Sequence, residues 1–175
     1  MTRSSFATMA RALIDRTNIP KTKIEQTARA LQNAGLLPLG RGSIARPGDL
    51  ANLLLGISSD TVRRSPATVN QYSKLKRLVE AEHVKAGDAL EAWVTKIWVG
   101  DRDEADKTLR IVQSWPEIIL AESDDRQHSG QHFYAEDQLL ERHALFDVRR
   151  SIEIPGLVVA QIGADLGKRG CSYAS

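Results

Sequence analysis

Thr22, Gln26, Arg29 and Asn33 stand at i, i+4, i+7 and i+11, a spacing that sets four polar side chains along one face of a helix. They are the types that read base edges in a DNA major groove: arginine pairs with guanine, and asparagine or glutamine with adenine. Lys21 and Lys23 sit at the start of the same stretch, and Arg41, Ser43 and Arg46 follow its end. Side chains in such flanking positions engage phosphate, which fixes register and makes affinity salt-dependent. Arg41 lies between Gly40 and Gly42, a basic tip of a kind suited to a minor groove. Lys21, Thr22, Lys23, Gln26, Arg29, Asn33, Arg41, Ser43 and Arg46 are therefore the expected contacts to double-stranded DNA.

Other chemistry has weaker footing. His128 and His132 are four apart, with Asp124, Asp125 and His143 near in sequence. That spacing aligns two imidazoles only on a helix, and Ser129-Gly130 between them reads as loop, so no metal site is expected. Cys171 is the single cysteine and stands near the end of the sequence, with no basic pocket to activate it as a nucleophile. Gly40-x-Gly42 lacks the lysine and helix start of a phosphate-cradling loop. Trp93, Trp98 and Trp115 read as core or interface anchors. No catalytic residue, metal or cofactor is expected, and the chain reads as non-enzymatic.

The elements that must position the polar face are legible. Ile24, Ala28 and Leu31 make the buried stripe of its helix, and Thr22-x-x-Glu25 predicts a capping box at its start. Gly35 supplies a left-handed stop, Leu36-Leu37-Pro38 re-enters the core, and residues 40–43 form the basic tip. Before it, Ser4 or Ser5 caps a helix over 6–16 with Phe6, Met9, Ala10, Leu13 and Ile14 inward. A turn at 17–20 follows, with Ile19 plugging the angle between the two helices. Pro47 opens a third helix to about residue 58 with Leu50, Leu53, Leu54 and Leu55 inward. A polar helix followed by an apolar anchor and a basic loop is the outline of a winged helix-turn-helix.

Beyond residue 58 lies a polar connector holding Arg63 and Arg64, then a linking helix expected over about 65–86, with Val69, Tyr72, Leu75, Leu78 and Val79 on its buried edge. Residues 90–99 read as a strand and 101–106 as an acidic turn. Strands are expected at 108–112 and 117–121, with a bend or edge at Trp115-Pro116. A polar loop spans 123–130, Phe133 and Tyr134 begin a short segment, 144–154 alternates as a strand, and 157–166 closes the fold as a helix before a loose tail at 170–175. The expected fold class is α+β: a winged helix-turn-helix over 1–62, a linking helix over 63–86, and an acidic α+β domain over 87–175 with a mixed, mainly antiparallel sheet.

Charge divides along similar lines. Residues 1–80 hold thirteen Lys and Arg against five Asp and Glu, and residues 81–175 hold eleven against seventeen, within a net charge of +2. A basic half and an acidic half imply two tasks: DNA contact, and oligomerisation or a protein partner. No run is long and apolar enough to span a membrane, and the N-terminal residues lack a signal-type apolar segment. A reducing, cytoplasmic setting is the expectation.

Residues 9–57 resemble the start of MerR-type regulators. The likeness rests on the first helix, the Asn18-Ile19-Pro20 turn, the helix closing on Gly35-Leu36-Leu37-Pro38, the wing with Arg41, and Asp49-Leu50 opening a third helix that ends in Leu53 to Ile57. The family's aromatic positions in the recognition helix and wing are absent, no long coiled-coil helix follows, and a metal-sensing branch would need more cysteines. The resemblance thus implies a DNA-binding fold and nothing about effectors. A small winged helix joined to an acidic domain is also similar in type to phage and prophage products. The function expected is a transcriptional regulator of that type, acting as a homo-oligomer. The alternatives are a small DNA-recognition subunit of a viral packaging motor, or a protein-binding winged-helix inhibitor or adaptor.

Overall fold

The computed structural model describes residues 5–40, 43–77, 84–113, 116–122, 130–135 and 150–169, with the backbone alone for residues 167–169. Ser5 sets the first helix, α1 (Phe6–Arg16): its hydroxyl accepts the Thr8 N–H, and Phe6, Met9 and Leu13 are buried as their spacing requires. Helix α2 (Lys21–Asn33) buries Ile24, Thr27, Ala28 and Leu31. It ends where Gly35 adopts φ +72°, a left-handed conformation that glycine takes without a Cβ clash. Its start differs from the expected capping box. Pro20 is the N-cap and no side chain caps the helix, because Thr22 already lies in the first turn. Glu25 instead stands 3.8 Å from Lys21 Nζ.

Helix α3 (Pro47–Ile57) opens on its proline, and the Asp49 carboxylate accepts the Arg46 N–H at 2.8 Å. Every residue from Leu53 to Ile57 is buried, so the helix is apolar on all sides and must be central. It packs against α2, against α4 (Ser65–Tyr72), and against α5 (Ala86–Trp98). Gly56 permits the close α2 contact: a Cβ there would lie 2.7 Å from Leu31 Cδ1 and 3.0 Å from Thr27 Cγ2.

Three expectations for the middle of the chain are corrected. The fourth helix ends at Tyr72 rather than near residue 86, because tight turns at Ser73 and Lys74 bury Leu75 and deliver Lys76–Arg77 to the sheet as strand β1. Residues 90–99 are not a strand. Ala86, Leu90, Trp93, Val94 and Ile97 are the buried residues of α5, at i, i+4, i+7, i+8 and i+11, and this longer periodicity overrides the local alternation around Trp93 to Val99. The acidic stretch 101–106 forms a single-turn helix, α6 (Arg102–Ala105), with the Asp101 side chain accepting the Glu104 N–H.

The remaining strands follow the alternation: β2 (Lys107–Val112), β3 (Glu117–Glu122), β4 (Gly130–Tyr134) and β5 (Ser151–Pro155). The five-stranded sheet is antiparallel in every pairing, in the order β1-β4-β3-β2-β5. Phe133 and Tyr134 end a strand rather than begin a segment. Helix α7 (Gly156–Arg169) closes the fold against α1 and α5. Arg16 fastens α1 to it, donating from Nη2 and Nε to Asp165 Oδ2 at 2.6 and 3.0 Å and from Nη1 to Gln161. Buried apolar side chains from Phe6 to Leu166 form one cluster, which runs across residues 62 and 86 without a break. The mixed α+β class is as expected, with a sheet wholly antiparallel among the described residues.

The described residues do not confirm a wing. Among the described residues no hairpin follows α2; Ser5 forms an isolated antiparallel bridge with Ile44, and Phe6 N donates to Ser43 O at 2.9 Å. Arg41 and Gly42 lie outside the described residues, as do Trp115, the 123–129 loop and most of the expected 144–154 strand.

Candidate nucleic-acid interface

Helix α2 turns its apolar stripe to the core and leaves Thr22, Gln26, Arg29 and Asn33 exposed. The four share one face, as 3.6-residue periodicity dictates. Lys21 is exposed beside them and Lys23 is half-buried on the flank. Several cations are engaged, one of them on α2: Lys21 with Glu25, Arg11 with Asp15, Arg16 with Asp165, Lys96 and Lys107 with Glu104, and Arg110 with Glu153. Among the described residues no ion pair engages Lys23, Arg29, Arg46, Arg63 or Arg64.

The path of α3 decides which cations reach α2. Asn52 Nδ2 donates to Leu36 O, just past the end of α2, while Gly56 lies over Leu31 and Thr27. The two helices therefore run antiparallel, and the chain leaving α3 emerges toward the start of α2. There the short 3-10 turn Val62–Arg64 packs on α2 and holds Arg63 and Arg64 exposed. These arginines were legible only as part of a polar connector; their place beside α2 follows from the helix pairing, which no local pattern encodes.

The other end of α2 is less positive. A cleft of about 420 Å³ lies between the Gly35–Pro38 turn and Ser43, Ile44 and Arg46. Arg46 is exposed, but Asp49 stands beside it. Burial chiefly holds the Asp49 carboxyl above its ordinary range, the Arg46 N–H and charge oppose the shift, and Glu91 adds to it. The Ser43 hydroxyl donates within its own turn, to Leu39 O at 2.5 Å and Gly40 O at 3.1 Å. Of the nine expected contacts, Lys21, Thr22, Gln26, Arg29 and Asn33 are thus brought together on α2 with Lys23 on its flank. Ser43 and Arg46 lie past its far end, and Arg41 is outside the described residues.

His132 is part of the sheet. Its Nδ1 lies 2.7 Å from the Tyr134 hydroxyl and 3.3 Å from Glu117 Oε1, with Glu117 buried. His128, His143, Asp124 and Asp125 fall outside the described residues, and among those described no three His, Cys, Asp or Glu converge as metal ligands would. No described helix is long and apolar enough to cross a membrane.

No protein-family model matches the sequence, and comparison with curated proteins and with solved structures produced no match. The functional reading therefore stands on the α2 surface itself.

Proposed function

We propose that the chain is a non-enzymatic double-stranded-DNA-binding protein of regulator type, in which α1 and α2 form a helix-turn-helix and α2 is the recognition helix. One observation carries the reading: a helix seated on the core by its apolar stripe exposes Thr22, Gln26, Arg29 and Asn33 in a row, with the exposed cations Arg63, Arg64 and Arg46 near its ends. An α-helix fits the major groove, where Arg29 pairs with a guanine edge and Gln26 and Asn33 suit adenine. Lys21, Lys23, Arg63 and Arg64 neutralise phosphates at one end and Arg46 at the other, with Arg41 a further phosphate or minor-groove contact on the ground of its sequence. The 13 residues of α2 extend roughly 20 Å, enough to reach from one groove wall to the other. A cytoplasmic homo-oligomer that places two such helices on successive half-sites completes the proposal, with the acidic residues of 87–175 serving assembly or a protein partner.

The test uses the full-length chain, fluorescently labelled random and selected duplexes, and anisotropy titrations over a range of salt. Arg29→Ala is expected to cost about 1–3 kcal/mol on the selected site and to narrow its margin over random DNA. Replacing Arg63 and Arg64 together is expected to weaken binding to all sequences and flatten the salt slope by roughly two. Arg41→Ala is expected to flatten it by roughly one. Absence of salt-dependent duplex binding by the folded protein refutes the reading. A second reading draws on the exposed apolar side chains Leu39 and Ile44 near the cleft, which favour a winged-helix adaptor that binds protein instead. A ring of many subunits in solution would favour the packaging-motor role.

A further inference from the structure

On the reading of α2 as a recognition helix, which this step rests on, we infer that Glu25 is a further specificity-determining residue and that it selects cytosine. The Thr22-x-x-Glu25 spacing gives Glu25 a place in a capping box, but Pro20 is the N-cap and no side chain caps the helix. The Glu25 carboxylate is therefore not consumed at the helix start. Glu25 is exposed on the same side of α2 as Thr22, Gln26 and Arg29, about 40° around the axis from Arg29 and roughly 6 Å along it. Among the described residues its one ion pair is with Lys21, at 3.8 Å, and the two side chains are 46% and 60% exposed. An exposed pair at that distance is weak, so the carboxylate can exchange Lys21 for a base edge. Arg29, one turn further on, pairs with no acid among the described residues, and the face thus carries an acceptor and a donor side by side.

The chemistry of the groove sets the choice of base. A carboxylate only accepts hydrogen bonds, whereas guanine and thymine present only acceptors in the major groove. Adenine offers its N6 amino group, but that donor stands between adenine N7 and thymine O4, two acceptors that repel a carboxylate on both sides. Cytosine offers its N4 amino group with an acceptor on one side only, the guanine O6, and C5–H on the other. Cytosine is therefore the base that Glu25 holds best. Arg29 suits guanine, and its offset of roughly 6 Å from Glu25 is about two base steps of 3.4 Å. The expected element is a cytosine within two base pairs of a guanine. Lys21 limits the repulsion between Glu25 and the phosphates as α2 enters the groove. Once Glu25 turns to the base, Lys21 is released to a phosphate, so one charge pair is exchanged for two contacts.

Selection from a randomised duplex, followed by anisotropy titrations, tests the assignment with the full-length parent, Glu25→Gln and Glu25→Ala. The parent is expected to prefer cytosine at one position by about tenfold. Glu25→Gln is expected to move that preference to adenine, since an amide bonds both N6 and N7. Glu25→Ala is expected to abolish it while binding random duplex about two- to threefold more tightly, because one negative charge is removed from the face. A methyl at C5 of the selected cytosine crowds the carboxylate and is expected to weaken the parent by about threefold or more, with no effect on Glu25→Ala. The position is exposed, and melting curves verify that both variants are folded. An unchanged base preference at every position in both variants overturns the assignment while leaving DNA binding intact. So does a parent that binds duplex without base preference, or a Glu25→Ala variant that gains affinity for random duplex and keeps its cytosine. Absence of salt-dependent duplex binding by the parent refutes the recognition-helix reading itself, and the assignment with it.

Discussion

The contact between α2 and α3 holds the polar face in place, and Gly56→Ala tests it directly. The new methyl would lie 2.7 Å from Leu31 Cδ1 and 3.0 Å from Thr27 Cγ2, both well inside an ordinary carbon contact of about 3.5–4.0 Å. Both neighbours are fully buried, and Thr27 is β-branched and stiff at χ1, so neither side chain yields freely. Overpacking of this kind costs about 1–3 kcal/mol, while replacing glycine by alanine within a helix returns up to ~1 kcal/mol. The net expectation is a loss of about 1–2 kcal/mol. Leu31→Ala alone should cost about 2–5 kcal/mol through the cavity it leaves. Combined, the two changes partly cancel, because the methyl at 56 moves into space vacated by Leu31. The double variant should therefore be more stable than the sum of the singles by about 1 kcal/mol or more. Urea denaturation of the four proteins, followed by circular dichroism, measures the cycle. Strict additivity, with Gly56→Ala as stable as the parent, would refute the close helix contact and the antiparallel pairing that brings Arg63 and Arg64 to α2.

Tyr72 links α4 to the sheet by donating its hydroxyl to Val112 O at 2.6 Å. Burial, with Asp60 contributing, pushes its phenol up to about 12. A folded value raised above the unfolded one contributes stability that is present below pH ~10 and is lost as pH rises through about 12. Tyr72→Phe should thus cost about 1 kcal/mol at neutral pH and remove part of the alkaline loss, read from urea midpoints between pH 8 and 11; identical pH profiles would contradict this. Arg16→Met severs the tie between α1 and α7 and should lower stability by about 1 kcal/mol, less at high salt because the pair is partly exposed. An unchanged urea midpoint at low salt would show that this contact contributes nothing.

The sequence by itself determined the amphipathic helices and their limits where the signal is local. A serine cap and an apolar stripe define α1, an apolar stripe and a glycine stop define α2, and a proline followed by leucines defines α3. The polar face of Thr22, Gln26, Arg29 and Asn33 was readable for the same reason: helical periodicity assigns faces without reference to the rest of the chain. The strands expected at 108–112 and 117–121, each one residue longer in the structure, and the closing helix were equally plain. Tertiary structure decided what those local patterns leave open. Residues 90–99 satisfy strand alternation over a short window, but burial of Ala86, Leu90, Trp93, Val94 and Ile97 against α3 is gained only as a helix. The end of α4 at Tyr72 follows from pairing between Lys76–Arg77 and Phe133–Tyr134, partners more than fifty residues away. Arg63 and Arg64 join the α2 surface, and Lys96 and Lys107 meet at Glu104, through helix crossings and strand register. Such contacts depend on the three-dimensional path of the backbone, which spacing along the chain does not encode.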